Sequence, residues 1–366
     1  MKRNIFLIAV LASVLALSLC SCDYINSIFK KKYTDQELFS NCSSGVVLIL
    51  NQYYYEVELP NGETIYFSDY DGESLLNLTA DEEEIKKNKS MSFGTGFFIS
   101  QTGEILTNRH VAAPSIDNSV VKGTVKDLVK AITELLSLYQ DEISNQYDVL
   151  QAQKADCYYI DYWGNWCCND SQLSSINAQQ EELRSQYQDN MQTITSLKET
   201  DFSELSTRCI SELGIAYNDT YVTSSADFKP CVLIRESQDE DTDLALIQLK
   251  DKVTPEKCYV FELPEETEEN KLEINEHVAM ISYNAGIQLS NTAVGIQAQL
   301  NTGNISQQND GVKVMYSIPA LQGSSGSPVI NEYGELVAVN FAGLTGTQSF
   351  NFGIVTKRIK KFIGNE

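Results

Sequence analysis

Two stretches of short β-strands are separated by a long segment with a helical pattern, and this division constrains the fold most strongly. Residues 44–112, and the residues after about 213, carry short apolar and β-branched runs between turn residues. No proline occurs between Pro114 and Pro230. In this interval apolar residues recur every three or four positions over 125–150 and again over 173–197. The two runs predict an antiparallel helical hairpin, followed by a third, shorter helix at 202–213.

The strands are predicted at 46–50, 53–59, 64–67, 95–99 and 105–107, and after the helical segment at 232–235, 244–249, 277–282, 295–301, 312–317, 328–331, 336–341 and 352–355. Many short strands at this spacing favour an all-β barrel or sandwich. We therefore predict an all-β domain made of residues 40–112 and 213–366, with residues 113–212 inserted as the helical hairpin.

The turn of the hairpin, residues 157–168, holds both tryptophans of the chain, Trp163 and Trp166. If exposed, these aromatic residues would form a docking tip for a protein partner or a lipid surface. With Cys157, Cys167 and Cys168 they could instead form a small disulfide-pinned cluster that packs onto the helices, which is the interpretation we favour. A zinc site is disfavoured because Cys167 and Cys168 are adjacent and no histidine is near them.

The amino terminus has the layout of an export signal. Lys2 and Arg3 precede an uncharged apolar run over residues 5–19. The following Leu19-Cys20-Ser21-Cys22 resembles the bacterial lipobox, in which the cysteine after a small residue is lipidated and becomes the first residue of the mature protein. We expect a signal peptide at 1–21, lipidation at Cys22 and a tether over 22–39. An ordinary signal peptide and an uncleaved membrane anchor are the alternatives.

The charge balance argues against a nucleic-acid partner, because the chain has 50 acidic and only 27 basic residues and binding to phosphates needs clustered Lys and Arg. Loss of residues 1–21 would leave 25 basic residues against 50 acidic ones, a net charge of −25. The sequence contains two histidines, so any imidazole chemistry must use His110 or His277. We expect no metal and no cofactor.

Three short segments carry the residue types of nucleophilic catalysis. His110 follows a predicted strand, Asp243 directly precedes one, and Ser325 lies in Gly323-Ser324-Ser325-Gly326-Ser327-Pro328. In α/β-hydrolases the nucleophilic serine comes first in the chain and is followed by the acidic residue and then by the histidine. This order is excluded here because no histidine follows Ser325. A subtilisin-type order would need an aspartate before His110, and the ones there lie in polar stretches. The order His, Asp, Ser remains.

These segments resemble the trypsin-fold bacterial serine proteases, especially the HtrA/Deg and glutamyl-endopeptidase-like groups. The resemblance covers about residues 40–112 and 213–366 and implies a trypsin-like double β-barrel, with the helical hairpin inserted between the catalytic histidine and aspartate. No PDZ domain is expected after the last predicted helix.

The resemblance and the chemistry together assign roles. His110 is the general base and then the general acid for Ser325, and Asp243 holds its other ring nitrogen. We choose Asp243 over Asp239, Glu240 and Asp241 because an apolar strand begins directly after it. The backbone N–H groups of Gly323 and Ser325 are expected to form the oxyanion hole.

Two positions depart from the family pattern. Ser324 stands where the family commonly has Asp or Asn, and Ser327 stands where it commonly has Gly. In trypsin-type zymogens that Asp pairs with a newly freed amino terminus. Ser324 cannot form this ion pair, so activation by insertion of an amino terminus is not expected.

The substrate pocket is predicted from two segments that flank the nucleophile. Its base is assigned to Ile318, Pro319 and Ala320, and one wall to Val339, Asn340, Phe341 and Ala342. No acidic residue lies in 318–322, so cleavage after Lys or Arg is disfavoured, and a small or apolar residue is expected. His277 is interpreted as a surface or turn histidine.

The leading hypothesis is a serine endopeptidase that hydrolyses proteins or peptides outside the cytoplasm, anchored to a bacterial membrane through Cys22. The alternative is a non-catalytic binding or scaffold lipoprotein on a protease fold, with the helical hairpin as its working surface. The hairpin tip could bind a protein partner in either case.

Overall fold

The computed structural model describes residues 31–239, 242–263, 272–343 and 350–364, without the side chains of 342 and 343. The predicted signal peptide and Cys22 lie outside the described residues. The described residues form two compact units. One contains residues up to 53, 91–114 and 211 onward, and the other contains 54–90 and 115–210.

The strands are, in chain order, β1 (Val46–Glu58), β2 (Thr64–Phe67), β3 (Asp69–Tyr70), β4 (Leu75–Leu76), β5 (Ser90–Phe98), β6 (Glu104–Thr107), β7 (Tyr158–Ile160), β8 (Trp166–Cys168), β9 (Ser206–Tyr217), β10 (Lys229–Glu236), β11 (Ala245–Leu249), β12 (His277–Ser282), β13 (Asn291–Thr292), β14 (Gly295–Ile296), β15 (Gln299–Gln307), β16 (Lys313–Tyr316), β17 (Pro328–Asn331), β18 (Leu336–Gly343) and β19 (Asn351–Val355). The helices are α1 (Asp35–Cys42), α2 (Glu82–Lys87), α3 (Arg109–Ala112), α4 (Asn118–Gln153), α5 (Asp170–Glu199), α6 (Ile287–Ser290) and α7 (Thr356–Gly364).

Two β-barrels form the body of the fold. In the first sheet the strand order is β2-β1-β5-β6-β11-β10-β9, and β9 also pairs with β1, which closes a ring of six strands. The second sheet is a closed barrel with the order β12-β15-β16-β19-β18-β17. The prediction of an all-β, trypsin-like double barrel is confirmed.

Strands β1 and β12 contain continuous runs of apolar residues, and these runs are buried on both faces of the strand. In β1, Val47 and Ile49 face the core of the first barrel, and the alternate residues Val46, Leu48 and Leu50 face a cluster shared by both barrels. Strand β12 repeats this arrangement, with alternate residues in the second barrel's core and in the shared cluster. The barrels are therefore joined by a common apolar core, which fixes the loops at their interface.

The helical hairpin consists of α4 and α5. Asp117 and Asn169 cap their amino termini by accepting hydrogen bonds from backbone N–H groups. At 1.5 Å per residue, the 36 residues of α4 extend about 54 Å. A polar contact supplements the apolar stripe between the helices, since the buried Asn190 Nδ2 donates to Leu136 O at 2.8 Å.

The prediction of a third helix at 202–213 is wrong. Only 202–204 form a short 3-10 turn, and β9 begins at Ser206. This strand pairs with β10, with Leu213 opposite Cys231, and with β1 on its other side. The local spacing of apolar residues is compatible with a helix. The segment forms a strand because its pairing with β1 and β10, which are distant in the chain, closes the barrel.

The preferred interpretation of the hairpin turn is also wrong. Strands β7 and β8 form a two-stranded tip, and its large aromatic side chains do not pack onto the helices: Tyr162 is 95% exposed, Trp163 81% and Trp166 77%. Within the described chain no disulfide joins Cys157 to Cys167 or Cys168.

Candidate active site

His110 lies on the short helix α3, directly after strand β6. Asn51 holds this helix, because its buried Nδ2 donates to Val111 O at 3.0 Å and to Ala112 O at 3.2 Å. Asn108, which precedes the helix and is fully buried, donates from Nδ2 to Asp243 O at 2.7 Å. The backbone around His110 is therefore fixed from the barrel side, and its imidazole, about half exposed at 48%, faces solvent.

Asp243 contacts His110 twice. One carboxylate oxygen lies 2.5 Å from His110 Nδ1, and the other accepts the backbone N–H of His110 at 3.0 Å. Burial raises the pKa of Asp243, but the hydrogen bonds from His110 and the nearby Arg109 charge outweigh it, so its pKa is lowered overall. An ionised Asp243 requires a proton on Nδ1, which leaves Nε2 of a neutral imidazole as an acceptor.

The other acidic residues before β11 are placed differently. Asp239 accepts a hydrogen bond from Arg358 at 2.8 Å and another from Thr242 Oγ1 at 3.1 Å. Glu240 and Asp241 lie outside the described residues. The structure thus brings Asp243, and not Asp239, to the imidazole.

Ser325 is held against the same barrel by Thr95. The backbone N–H of Thr95 donates to Ser325 O at 2.9 Å, and its hydroxyl donates to Gly323 O at 2.8 Å. Thr95 O in turn accepts the hydroxyl of Thr107, which is three residues before His110, at 2.7 Å. Ser325 and His110 are therefore fixed relative to the same two strands, β5 and β6. In the described chain no hydrogen bond joins the Ser325 hydroxyl to His110, and such contacts often tighten only when substrate binds.

The expected oxyanion loop has the required free donors. Within the described chain neither the N–H of Gly323 nor that of Ser325 has a hydrogen-bond acceptor. Gly323 has φ +97°, and a Cβ there would lie 2.6 Å from Tyr283 O and 2.7 Å from Gly286 N. A glycine is thus required at this position by the close approach of the loop at 283–286.

The residues assigned to the substrate pocket have different surroundings. Ile318 and Val339 are fully buried members of the apolar cores, while Pro319 is exposed. Ala320 and Phe341 are partly buried against those cores. Asn340 is only 3% exposed, and the side chain of Ala342 lies outside the described residues. The pocket stays a prediction in which Pro319, Ala320 and Phe341 have accessible side chains.

His277 lies at the start of β12 and its Nε2 is 2.8 Å from Asp35 on α1. This pair links the amino-terminal helix to the second barrel, and nothing in it involves Ser325 or Asp243.

Sequence reasoning missed three positioning residues. Asn51, Thr95 and Asn108 are buried polar residues in apolar or glycine-rich segments. A polar residue inside a buried strand signals a fixed hydrogen bond, but the partner depends on barrel closure and cannot be found from the local sequence.

Residues 206–339 match the family model of the trypsin-like peptidase domain. The match contains Asp243 and Ser325 and begins after His110. Together with the paired barrels, the match shows that this part of the chain is similar to a trypsin-like peptidase domain. The crystal structure of the serine endoprotease from Yersinia pestis is similar over 92% of this chain and 67% of its own, with 12% identity and a TM-score of 0.42. A search of curated protein sequences finds no significant match.

Two further features concern the described residues only. They contain no group of three or more His, Cys, Asp or Glu side chains that could hold a metal ion. None of their helices is both long and apolar enough to cross a bilayer.

Proposed function

We propose that this protein is a serine endopeptidase that uses Ser325, His110 and Asp243 as its catalytic triad. The observation that supports this most is the pair of hydrogen bonds between His110 and Asp243. The Ser325 loop is held on the same two strands, β5 and β6, as His110, and the N–H groups of Gly323 and Ser325 in this loop have no acceptor in the described chain.

The reaction follows from this arrangement. Ser325 Oγ attacks the peptide carbonyl carbon while His110 Nε2 takes its proton, and Asp243 stabilises the imidazolium. The N–H groups of Gly323 and Ser325 stabilise the oxyanion of the tetrahedral intermediate. Its collapse breaks the C–N bond, and His110 gives the proton to the leaving amine. Water, activated by His110, then hydrolyses the acyl-enzyme and restores the Ser325 hydroxyl.

Two finer assignments rest on the sequence. We propose cleavage after small or apolar residues, because no acidic side chain lies in 318–322 to bind Lys or Arg. We also propose that the domain acts outside the cytoplasm, anchored through a lipid on Cys22, because of the apolar run and Leu19-Cys20-Ser21-Cys22.

The test is turnover of a peptide library by the wild type and by Ser325→Ala. Loss of the nucleophile should lower kcat by about 10⁴- to 10⁶-fold and leave the fold unchanged. A folded wild type that cleaves no peptide at all would favour the scaffold alternative.

The exposed tip of the hairpin supports a second, additional function, the docking of a protein. Asp161 makes the turn rigid, since one of its oxygens accepts the N–H groups of Trp163 at 2.9 Å and Asn165 at 2.8 Å. Exposed Trp and Tyr on a rigid turn are typical anchors of protein interfaces. Three aspartates, Asp156, Asp161 and Asp170, lie in or beside this tip against one lysine, so its charge favours a basic protein surface over an anionic membrane.

Intrinsic fluorescence tests this directly, because both tryptophans of the chain are in the tip. The Trp emission should shift to shorter wavelength on addition of a basic protein substrate that contains no tryptophan, such as core histones. Trp163→Ser together with Trp166→Ser should lower kcat/KM for the histones and leave kcat/KM for a short peptide unchanged. A shift caused by phosphatidylglycerol vesicles and not by histones would contradict docking of a protein.

A further inference from the structure

Asn340, on strand β18, makes contacts that its assignment to a pocket wall does not explain. It is 3% exposed, and its backbone pairs with the two residues that follow Ser325: its N–H donates to Ser327 O at 2.9 Å, and its carbonyl accepts the Gly326 N–H at 2.8 Å. Its side-chain Nδ2 donates to Ser324 O at 2.9 Å and approaches Ser324 Oγ at 3.2 Å. Every polar atom of Asn340 is therefore used at the loop or just behind it.

The orientation of this amide is fixed by chemistry. Ser324 O can only accept, so the amide nitrogen must face it and Oδ1 must face away. There Oδ1 accepts the hydroxyl of Tyr316 at 2.8 Å. Tyr316 is fully buried, and burial raises its pKa well above the ordinary value, so the hydroxyl stays protonated as a donor. Gly353 leaves the space for this ring, because a Cβ there would lie 3.0 Å from Tyr316 Cε1.

The contact at Ser324 O matters because of peptide geometry. Ser324 C=O and Ser325 N–H belong to one planar trans peptide and point in opposite directions. A donor that fixes the direction of Ser324 O therefore also fixes the direction of the Ser325 N–H. The second oxyanion donor is fixed in the same way, since Gln322 O, on the peptide of the Gly323 N–H, accepts the N–H of Ala285 at 2.6 Å.

We propose that Asn340 is a positioning residue for the oxyanion hole: its side-chain amide, held by the Tyr316 hydroxyl, locks the 324–325 peptide with the Ser325 N–H directed into the active site. This lock takes the place of an ion pair at Ser324, which serine cannot form. The oxyanion loop at 323–325 thus has its catalytic conformation without insertion of a new amino terminus. The inference rests on the proposed peptidase function and adds a route by which the site is preorganised.

The Ser327 N–H also donates to Ser324 O, at 3.2 Å, so loss of Asn340 Nδ2 leaves one longer bond. We therefore expect Asn340→Ala to cost less than deletion of an oxyanion donor, which lowers kcat by about 10²- to 10³-fold. The expected effect is a fall in kcat of about 10- to 100-fold with KM changed by less than about 3-fold. Affinity for a peptide boronic acid, whose adduct places an oxygen in the hole, should fall in parallel, and affinity for the same peptide as a carboxylate product should not.

A pH profile separates positioning from general support of the fold. Asn340→Asp keeps the acceptor for Tyr316 but donates to Ser324 O only when its carboxyl group is protonated. The ratio of its kcat to that of the wild type should therefore fall as the pH rises from 5 to 9. Asn331→Ala is the matched control. Asn331, the last residue of β17, is also buried, at 8% exposed. Its Nδ2 donates to the carboxylate of Glu335, in the turn that follows the strand, at 2.9 Å. This control should lower the unfolding temperature and leave kcat unchanged.

Wild-type turnover that Ser325→Ala abolishes establishes the peptidase function independently of Asn340. With that in hand, a folded Asn340→Ala with wild-type kcat and wild-type boronate affinity would overturn the inference alone. If Asn340→Ala fails to fold, a flat kcat ratio for Asn340→Asp across the pH range would overturn it instead.

Discussion

Substitution of Gly326 tests how the Ser325 turn is positioned. A Cβ at Gly326 would lie 2.1 Å from Thr95 O and 2.3 Å from Thr107 Oγ1. Ordinary contact begins at about 3.4 Å, so the turn or the strands must separate by about 1.3 Å, the difference between 3.4 and 2.1 Å. Gly326 also has φ +85°, where a side chain costs about 1–2 kcal/mol, and overpacking adds about 1–3 kcal/mol. Gly326→Ala should therefore destabilise the protein by about 2–5 kcal/mol.

Gly311 provides the matched control, because it has φ +86° and a Cβ there would meet no atom within 4 Å. Gly311→Ala should cost only the backbone part, about 1–2 kcal/mol. Urea unfolding measures both, and kcat measures the displacement of Ser325, since a shift of about 1 Å can cost about 100-fold. Equal losses of unfolding free energy in the two variants, or wild-type kcat in Gly326→Ala, would refute the placement of Ser325 against Thr95 and Thr107.

The remaining predictions concern Asp243 and Ser327. Asp243→Asn should lower kcat by about 10⁴-fold, because His110 loses the partner that fixes its tautomer, and steady-state kinetics measures this. The pKa of Asp243 is lowered on folding, so its carboxylate stabilises the protein above its ordinary pKa of about 3.9, and this stabilisation is lost as the pH falls through the folded value. The difference in unfolding free energy between wild type and Asp243→Asn should accordingly shrink below about pH 4. Ser327→Ala should raise the unfolding free energy by about 1 kcal/mol, because the fully buried Ser327 hydroxyl has no partner in the described chain. Unchanged or lower stability in urea would contradict that.

The β-strand texture, the hairpin and the order His110, Asp243, Ser325 could be predicted from the sequence because each leaves a local pattern. An aspartate before an apolar strand, and glycines around a serine, constrain the backbone within a few residues. The paired barrels then bring the three segments to one interface.

Other features depend on contacts between distant residues. The apolar residues of the β9 segment have a helical spacing, but the segment forms a strand because its pairing with β1 and β10 closes the first barrel. Asn340 looked like a pocket residue, while its side chain faces the loop 16 residues earlier in the chain. The exposure of Trp163 could not be read from composition, because the same aromatic residues suit a packed cluster and a docking tip.

The central claim is that His110 and Asp243 activate Ser325. Reaction with a fluorophosphonate, followed by mass spectrometry of the labelled peptide, tests it most directly. The proposed triad predicts one label per chain, on Ser325, that is lost in Ser325→Ala and strongly slowed in His110→Ala. A folded wild-type protein that takes up no label, or takes it up on another residue, would contradict the claim.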